Sequence, residues 1–232
     1  MKLTLVIKLL SDTTFGRGDG VAGLVDEEIE HDPATGLPII RGRTLKGLLV
    51  EECANILYAL RSHPELDACE RTAAWLFGSG GSTLAHGAHM RIGRGELPHD
   101  LQQQVRHSIQ SNNETNNETE GPTAAEILES LTTIRRQTAV DEETGVPADR
   151  SLRASRVALR GLTFRAALDF DQKPETHHLA LLAVCAASVR RAGSGRNRGR
   201  GRVEVRIEGP DFDFDAHLKR FGALVTEARG RA

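Results

Sequence analysis

An α/β (α+β) fold is predicted for this sequence by three observations. Apolar residues alternate with polar ones near both ends, at Leu3, Leu5 and Ile7 and again at Val203, Val205 and Ile207, and a period of two marks a half-buried strand. Between them lie segments whose apolar residues recur at helical spacing. A strand, helix, strand order is legible at each end, which supports a sandwich built around a ferredoxin-like core.

Residues 2–10 read as the first strand. Residues 11–43 read as loop, punctuated by Gly16, Gly18, Gly20, Gly23, Gly36 and Gly42 with Pro33 and Pro38; within them "DPATG" reads as a turn. A helix is expected from about Thr44, with Leu45, Leu48, Leu49, Cys53, Ile56 and Leu60 on its apolar side. Thr44 is its expected cap, and Lys46 falls in its first turn. A lysine there opposes the helix dipole; an anion bound at the helix N-terminus would offset this, and a side chain in solvent is the plainer alternative.

"CERTAAWLFGSGG" reads as a short helix stopped by Gly78, anchored by Trp75, Leu76 and Phe77. Residues 88–97 suit a strand before Pro98. The polar, locally repeated run "SIQSNNETNNETEGPTA" points to a flexible insertion over about 99–122. A helix up to Leu131 follows, with Thr123 positioned to form a capping box with Glu126. Residues 135–170 have hairpin character, with strands around Val157, Leu159, Leu162, Phe164, Ala166 and Leu168. Their "DEETG" repeats the Asp-to-Gly spacing of "DPATG". Residues 175–190 suit a helix through Leu179, Leu182 and Cys185, and the second alternating strand follows the glycine loop after it. A single domain over residues 1–232 is expected.

Composition narrows the function. The 232 residues are 39% hydrophobic, enough for one large domain. No stretch approaches the roughly 18 consecutive apolar residues of a membrane span, and "MKLTLVIKLLSD" lacks a small-residue cleavage signal, so a cytoplasmic protein with no membrane partner is expected. Cys53, Cys69 and Cys185 fit neither a four-ligand zinc spacing nor a disulfide scaffold, and read as buried thiols. The formal net charge of −2 is uninformative, but its distribution is not: arginines gather between Arg150 and Arg206, while acids fill "DEEIEHD" and the stretch from Asn113 to Glu129. Local patches are what a nucleic acid meets. An aromatic content of 4% is low for a protein that stacks bases on its own side chains. An RNA binder of this composition holds the backbone.

Two unlike glycine-rich segments carry the chemistry. In "GSGRNRGRG", Gly193, Gly195, Gly199 and Gly201 surround Arg196, Arg198 and Arg200. The segment follows a helix and opens a strand, the reverse of a dinucleotide fingerprint, and it is not a Walker A sequence. Glycines allow tight curvature and close approach, backbone amides form anion-binding concavities, and arginines offer forked donors to phosphate. RNA or another polyanion is the expected ligand; a solvated basic turn is the alternative. The other segment gathers Asp12, Asp19, Asp26, Glu27, Glu28, Glu30 and Asp32, with Arg17 among them. Asp26 follows Leu24 and Val25, an arrangement that would anchor the backbone and aim one carboxylate at a bound strand. Such a carboxylate would hold a divalent ion or take part in proton transfer; the alternative is a structural loop cap. RNA supplies its own 2′-hydroxyl nucleophile, so a sparse site suffices. His31, His86, His89, His177 and His178 form no recognisable catalytic constellation.

The combination of "FGRGDGVAGLVDEEIEHDPATGLPIIRGRTLKGLL" with "GSGRNRGRGRV" resembles the RAMP superfamily of CRISPR-associated proteins, nearest to the RNA-binding backbone subunits of type III effector complexes. "LFGS" and "RQTAVDEETG...SLRASRVALRGLTF" are consistent with it. The resemblance implies a modified ferredoxin-like or RNA-recognition-like core with loop and hairpin insertions. It implies assembly with CRISPR guide RNA, complementary target RNA and other effector subunits, in antiviral defence. Asp26 occupies the "GLVD" position at which related backbone subunits cut target RNA, with Mg2+ or Mn2+ as the divalent cation if the chain is active. Lys46 matches the basic position opening the first helix, and Gly195, Gly199 and Gly201 match the region beside guide RNA. Arg196, Arg198 and Arg200 become the preferred backbone contacts, with Arg17, Arg41 and Arg43 as further candidates. The sequence departs from the family pattern at Arg41, where proline is common, and at Arg43, where a small hydroxyl residue is common. A cleavage-inactive structural subunit and a stand-alone guide-precursor endoribonuclease are the competing readings.

Overall fold

The computed structural model describes residues 2–79, 87–114, 121–148 and 151–229. Its centre is a four-stranded antiparallel sheet of order β2-β5-β1-β6, formed by β1 (Leu3–Leu9), β2 (Met90–Ile92), β5 (Thr163–Phe170) and β6 (Val203–Glu208). Leu5 stands opposite Ala166 on one side and Ile207 on the other. Every second residue of β1, β5 and β6 is buried, as the alternation predicts. Helices α1 (Gly42–Ala59) and α5 (Thr176–Ser188) cover that face. This is the ferredoxin-like arrangement of two strand–helix–strand units. Leu45, Leu49 and Cys53 of α1 and Leu179, Leu182 and Ala186 of α5 join Leu5, Ile7, Phe164 and Val205 in one core, each large side chain contributing about 1.5–3 kcal/mol by leaving water. Helix α5 is buried on nearly all sides because α2 (Leu66–Phe77) and α6 (Phe214–Arg229) pack against it too. The three cysteines are free and buried, as read from their spacing. No helix is long and apolar enough to cross a membrane among the described residues.

The opposite face of the sheet presents Thr4, Val6, Lys8, Arg165, Ala167, Asp169, Glu204, Arg206 and Glu208. None is aromatic, so these strands lack the stacking side chains of RNA-recognition modules.

Several expectations are corrected in detail. Helix α1 starts at Gly42, with Arg41 in the capping position and no side-chain cap bond; Thr44 lies inside the first turn. The strand expected over 88–97 is regular only over Met90–Ile92. It gives way where the backbone of Gly42 crosses it: a Cβ on Gly42 would lie 2.2 Å from the Ile92 carbonyl oxygen. Ile40 then pairs with Gly95, and Glu96 with Arg165. In the stretch expected to be a flexible insertion, residues 99–114 form α3 (His99–Glu114), whose Leu101, Val105 and Ile109 pack on the core at successive helical turns; residues 115–120 lie outside the described residues. The Thr123–Glu126 capping box opens α4 (Ala124–Leu131) as read from the sequence. It leads into β3 (Thr132–Gln137), which pairs antiparallel with β4 (Arg153–Ala158) in a separate two-stranded sheet. The two Asp-to-Gly segments fold alike: Gly36 N–H donates to the Asp32 carbonyl at 2.7 Å and Gly145 N–H to the Asp141 carbonyl at 2.9 Å, with both glycines at positive φ.

Candidate nucleic-acid interface

Antiparallel pairing puts the exit of β1 beside the start of β6, at Leu9 opposite Val203. The acidic segment leaving β1 and the glycine segment preceding β6 therefore meet. Leu10 N–H donates to the Arg202 carbonyl at 2.8 Å, Gly201 N–H to the Asp12 carbonyl at 3.0 Å and Ser194 N–H to the Thr14 carbonyl at 2.9 Å. Two glycines make this approach possible. A Cβ on Gly193 would stand 2.3 Å from the Thr14 oxygen, and one on Gly201 would stand 2.2 Å from the Ala192 oxygen, at φ of +78° and +76°. Side chains seal the junction: Ser194 Oγ donates to Glu27 Oε1.

The acidic segment is a hairpin rather than an open loop. Arg17 N–H donates to the Glu28 carbonyl and Glu28 N–H to the Asp19 carbonyl, each at 2.9 Å; the tip closes with Val21 and Val25 exchanging backbone bonds of 2.8 and 3.0 Å. Asp26 sits just past that tip and is exposed. Its N–H donates to the Ala154 carbonyl at 2.8 Å, and its Oδ2 accepts the Ala154 N–H at 2.6 Å. Gly20 lies against the Asp26 backbone, where a Cβ would be 2.5 Å from the Asp26 carbonyl oxygen. Two residues on, Glu28 turns inward and forms a buried ion pair with Arg156 of β4 at 2.9 Å; Arg156 also donates to Thr132 Oγ1 at 3.2 Å. The hairpin is thus bolted to β4, with the exposed Asp26 just past its tip.

The basic candidates divide into two groups. Arg17 pairs with Asp19 and Arg41 with Glu30. Arg196 makes a forked pair with Glu51 of α1, at 2.7 and 2.9 Å; this bond holds the Glu51 carboxyl below the usual range and raises Arg196. Arg43, Lys46 and Arg198 make no ion pair among the described residues. Arg43 and Lys46 lie at the start of α1, and Arg198 is exposed on the glycine loop, where its N–H donates to the Gly195 carbonyl at 2.8 Å. Arg200 folds back over Gly195: a Cβ there would lie 2.7 Å from Arg200 Nη2. Gly199, at φ +80°, has nothing within reach of a Cβ. The structure also brings Arg135, Arg136 and Arg160 to this edge. Their sequence signal is slight, an arginine pair and a single Arg-Gly step outside the two glycine-rich segments.

The histidines do not converge here. His89 bonds to Asp171 at 2.7 Å, and His178 stacks on Trp75 with ring centroids 3.9 Å apart. Both lie at the α2–α5 side of the molecule, and His86 is outside the described residues. No group of three or more His, Cys, Asp or Glu is placed to hold a metal ion among the described residues. A divalent cation at Asp26 would have one protein carboxylate, with water and RNA phosphate as its other ligands; Mg2+ accepts such a shell.

The molecule is thus a ferredoxin-like domain that carries its basic glycine loop and the exposed Asp26 at one edge. The RAMP superfamily profile matches residues 6–204, and the chain belongs to that superfamily. A chain of the Type III-B Cmr-beta complex in its apo state shares the fold at a TM-score of 0.60 and 13% identity, over 90% of this chain and 98% of that one. A chain of Type III-B Cmr-beta bound to cognate target RNA does so at 0.61 and 13%, over 94% and 99%. No curated protein matches the chain.

Proposed function

We propose that this chain is a guide-RNA-binding backbone subunit of a type III CRISPR effector complex, and that Asp26 cuts complementary target RNA once the complex is assembled in the cytoplasm. The observation that carries the reading is the Ser194–Glu27 bond, which sets the arginine–glycine loop directly beside the Asp26 hairpin. A strand held by its phosphates on the loop passes the exposed carboxylate. The fold shared with chains of the Cmr-beta complexes supports the same reading.

In this scheme Arg43, Lys46 and Arg198, which have no carboxylate partners among the described residues, grip the guide backbone. Base pairing supplies sequence specificity. The Ala154 amide fixes one oxygen of Asp26 and so orients the other toward the target strand, where it would hold Mg2+ or Mn2+. The ion's chemistry is neutralisation of phosphate charge and stabilisation of the alkoxide that forms.

The same Ala154 bond favours a second reading, in which Asp26 only ties the hairpin to β4 and another subunit cuts. Two substitutions separate the readings in a reconstituted guide complex. Asp26→Asn keeps an oxygen to accept the Ala154 N–H but loses the charge, whereas Asp26→Ala loses both. Target cleavage by Asp26→Asn should fall at least about 100-fold, with assembly and target binding intact. Undiminished cleavage by Asp26→Asn identifies the scaffold.

A further inference from the structure

Helices α2 and α6 both pack on α5 but make little contact with each other. They are tied at one end, where His63 Nε2 donates to the Val225 carbonyl at 2.8 Å. A cavity of about 510 Å³ lies between the three helices, within the range of about 300–1,000 Å³ in which small ligands are held. None of its lining residues belongs to the glycine loop or to the Asp26 hairpin.

Two histidines around this cavity are built alike. Glu65 N–H donates to His63 Nδ1 at 3.2 Å, and Glu175 N–H donates to His178 Nδ1 at 3.0 Å. In a neutral ring such a bond leaves the proton on Nε2. His63 gives that proton to Val225. His178 lines the cavity and is 7% exposed, yet its Nε2–H has no partner among the described residues. Trp75, stacked on His178 at 3.9 Å, lines the same cavity, and its indole N–H also lacks a partner among the described residues. Shielded donors of this kind normally find acceptors, and leaving them unmade is costly. A ligand carrying acceptor oxygens answers both. The charges around the cavity give its sign. Arg71 and Arg220 are exposed and have no ion pair among the described residues. Of the two acids, Glu175 lies 3.5 Å from His177, which leaves Glu65 as the one uncommitted carboxylate. Phe221 adds a further ring to the wall, and flat ligands meet such walls edge-on or offset.

We propose that this cavity binds a small aromatic carboxylate, whose oxygens take the Nε2–H of His178 and the indole N–H of Trp75. The inference goes beyond the guide-complex reading and does not depend on it.

Trp75 is the only tryptophan of the chain, so energy transfer from it to anilinonaphthalene sulfonate reports a probe bound at this place. The test is displacement of that probe from the full chain by 2-naphthoate, by its neutral analogue 2-naphthylmethanol and by decanoate. Naphthoate should displace it at one site with a Kd of about 1 mM or tighter, and the other two should need at least about 10-fold more. His178→Phe keeps the stacked ring but loses the donor, and should weaken naphthoate about 10-fold. Arg71→Gln/Arg220→Gln should weaken it about 3-fold, and Glu65→Gln should strengthen it about 2-fold. Ala68→Phe, at a half-buried wall position, fills the space and should abolish the transfer, with melting temperatures confirming that each variant is folded. Displacement by the alcohol or by decanoate as readily as by naphthoate overturns the aromatic carboxylate. Transfer that survives Ala68→Phe, or naphthoate binding unchanged in folded His178→Phe, overturns the site. Either result leaves target cleavage and guide-complex assembly untouched, so its failure is distinct from a failure of that reading.

Discussion

Gly201 and Gly199 are both glycines at positive φ in one loop, yet they do different work. Alanine at Gly199 meets no neighbour and should cost only the left-handed backbone penalty, about 1–2 kcal/mol. At Gly201 the added carbon collides with the Ala192 carbonyl, so the loss should be at least about twice that, read as a fall in melting temperature. His178 makes a separate prediction. Burial, followed by the neighbouring His177, lowers its pKa from 6.5 to about 4. Between those values the unfolded chain binds the proton and the native protein does not. The stabilisation from neutral His178 is therefore complete above about pH 6.5 and is lost as pH falls toward 4. Urea midpoints should drop across that window, and His178→Gln should flatten the drop. At this scale the sequence was readable in kind but not in partnership. It singled out Asp26 and the arginines by their company, yet nothing local tells that Arg196 meets Glu51 across 145 positions or that Arg41 is matched by Glu30.

Among the elements, the β3–β4 hairpin holds the acidic hairpin in place. Arg156 and Glu28 are buried together, so replacing Arg156 by Met leaves a carboxylate with no counter-charge. That should destabilise by about 3–5 kcal/mol, whereas Glu28→Leu/Arg156→Met should recover most of the loss, both read from urea midpoints. Guide binding should fall in the single variant through misplacement of the hairpin, although neither residue faces solvent. Strong local signals were legible here: the β1, β5 and β6 alternation, the α4 capping box and both Asp-to-Gly turns. Boundaries set by contact from elsewhere were not. Strand β2 ends early because Gly42 crosses it, and α3 extends through a polar run because Leu101, Val105 and Ile109 find the core.

For the molecule as a whole, the order β2-β5-β1-β6 makes a single edge of segments that the sequence keeps far apart. The prominence of the two glycine-rich segments was visible in the sequence; their adjacency follows from strand pairing, which no local pattern encodes. The same order explains why the expected binding surface is the loop-lined edge and not the open sheet, whose outward residues are aliphatic, hydroxyl-bearing or charged. Removing the aliphatic side chain of Val6 from that face should leave RNA affinity within about 2-fold, unlike loss of the loop cations, because its contribution to a backbone-held strand is small.

That β1 takes its second neighbour from the far end of the chain also has a consequence for biosynthesis. Roughly 190 residues separate β1 from β6. At about 5–20 residues per second the ribosome needs about 10–40 s to deliver the missing strand. Throughout that interval one flank of Thr4–Leu9 offers unpaired amides and carbonyls, the kind of edge onto which other nascent chains add. A message truncated ahead of Val203 makes this exposure permanent, and its product should collect in the insoluble fraction.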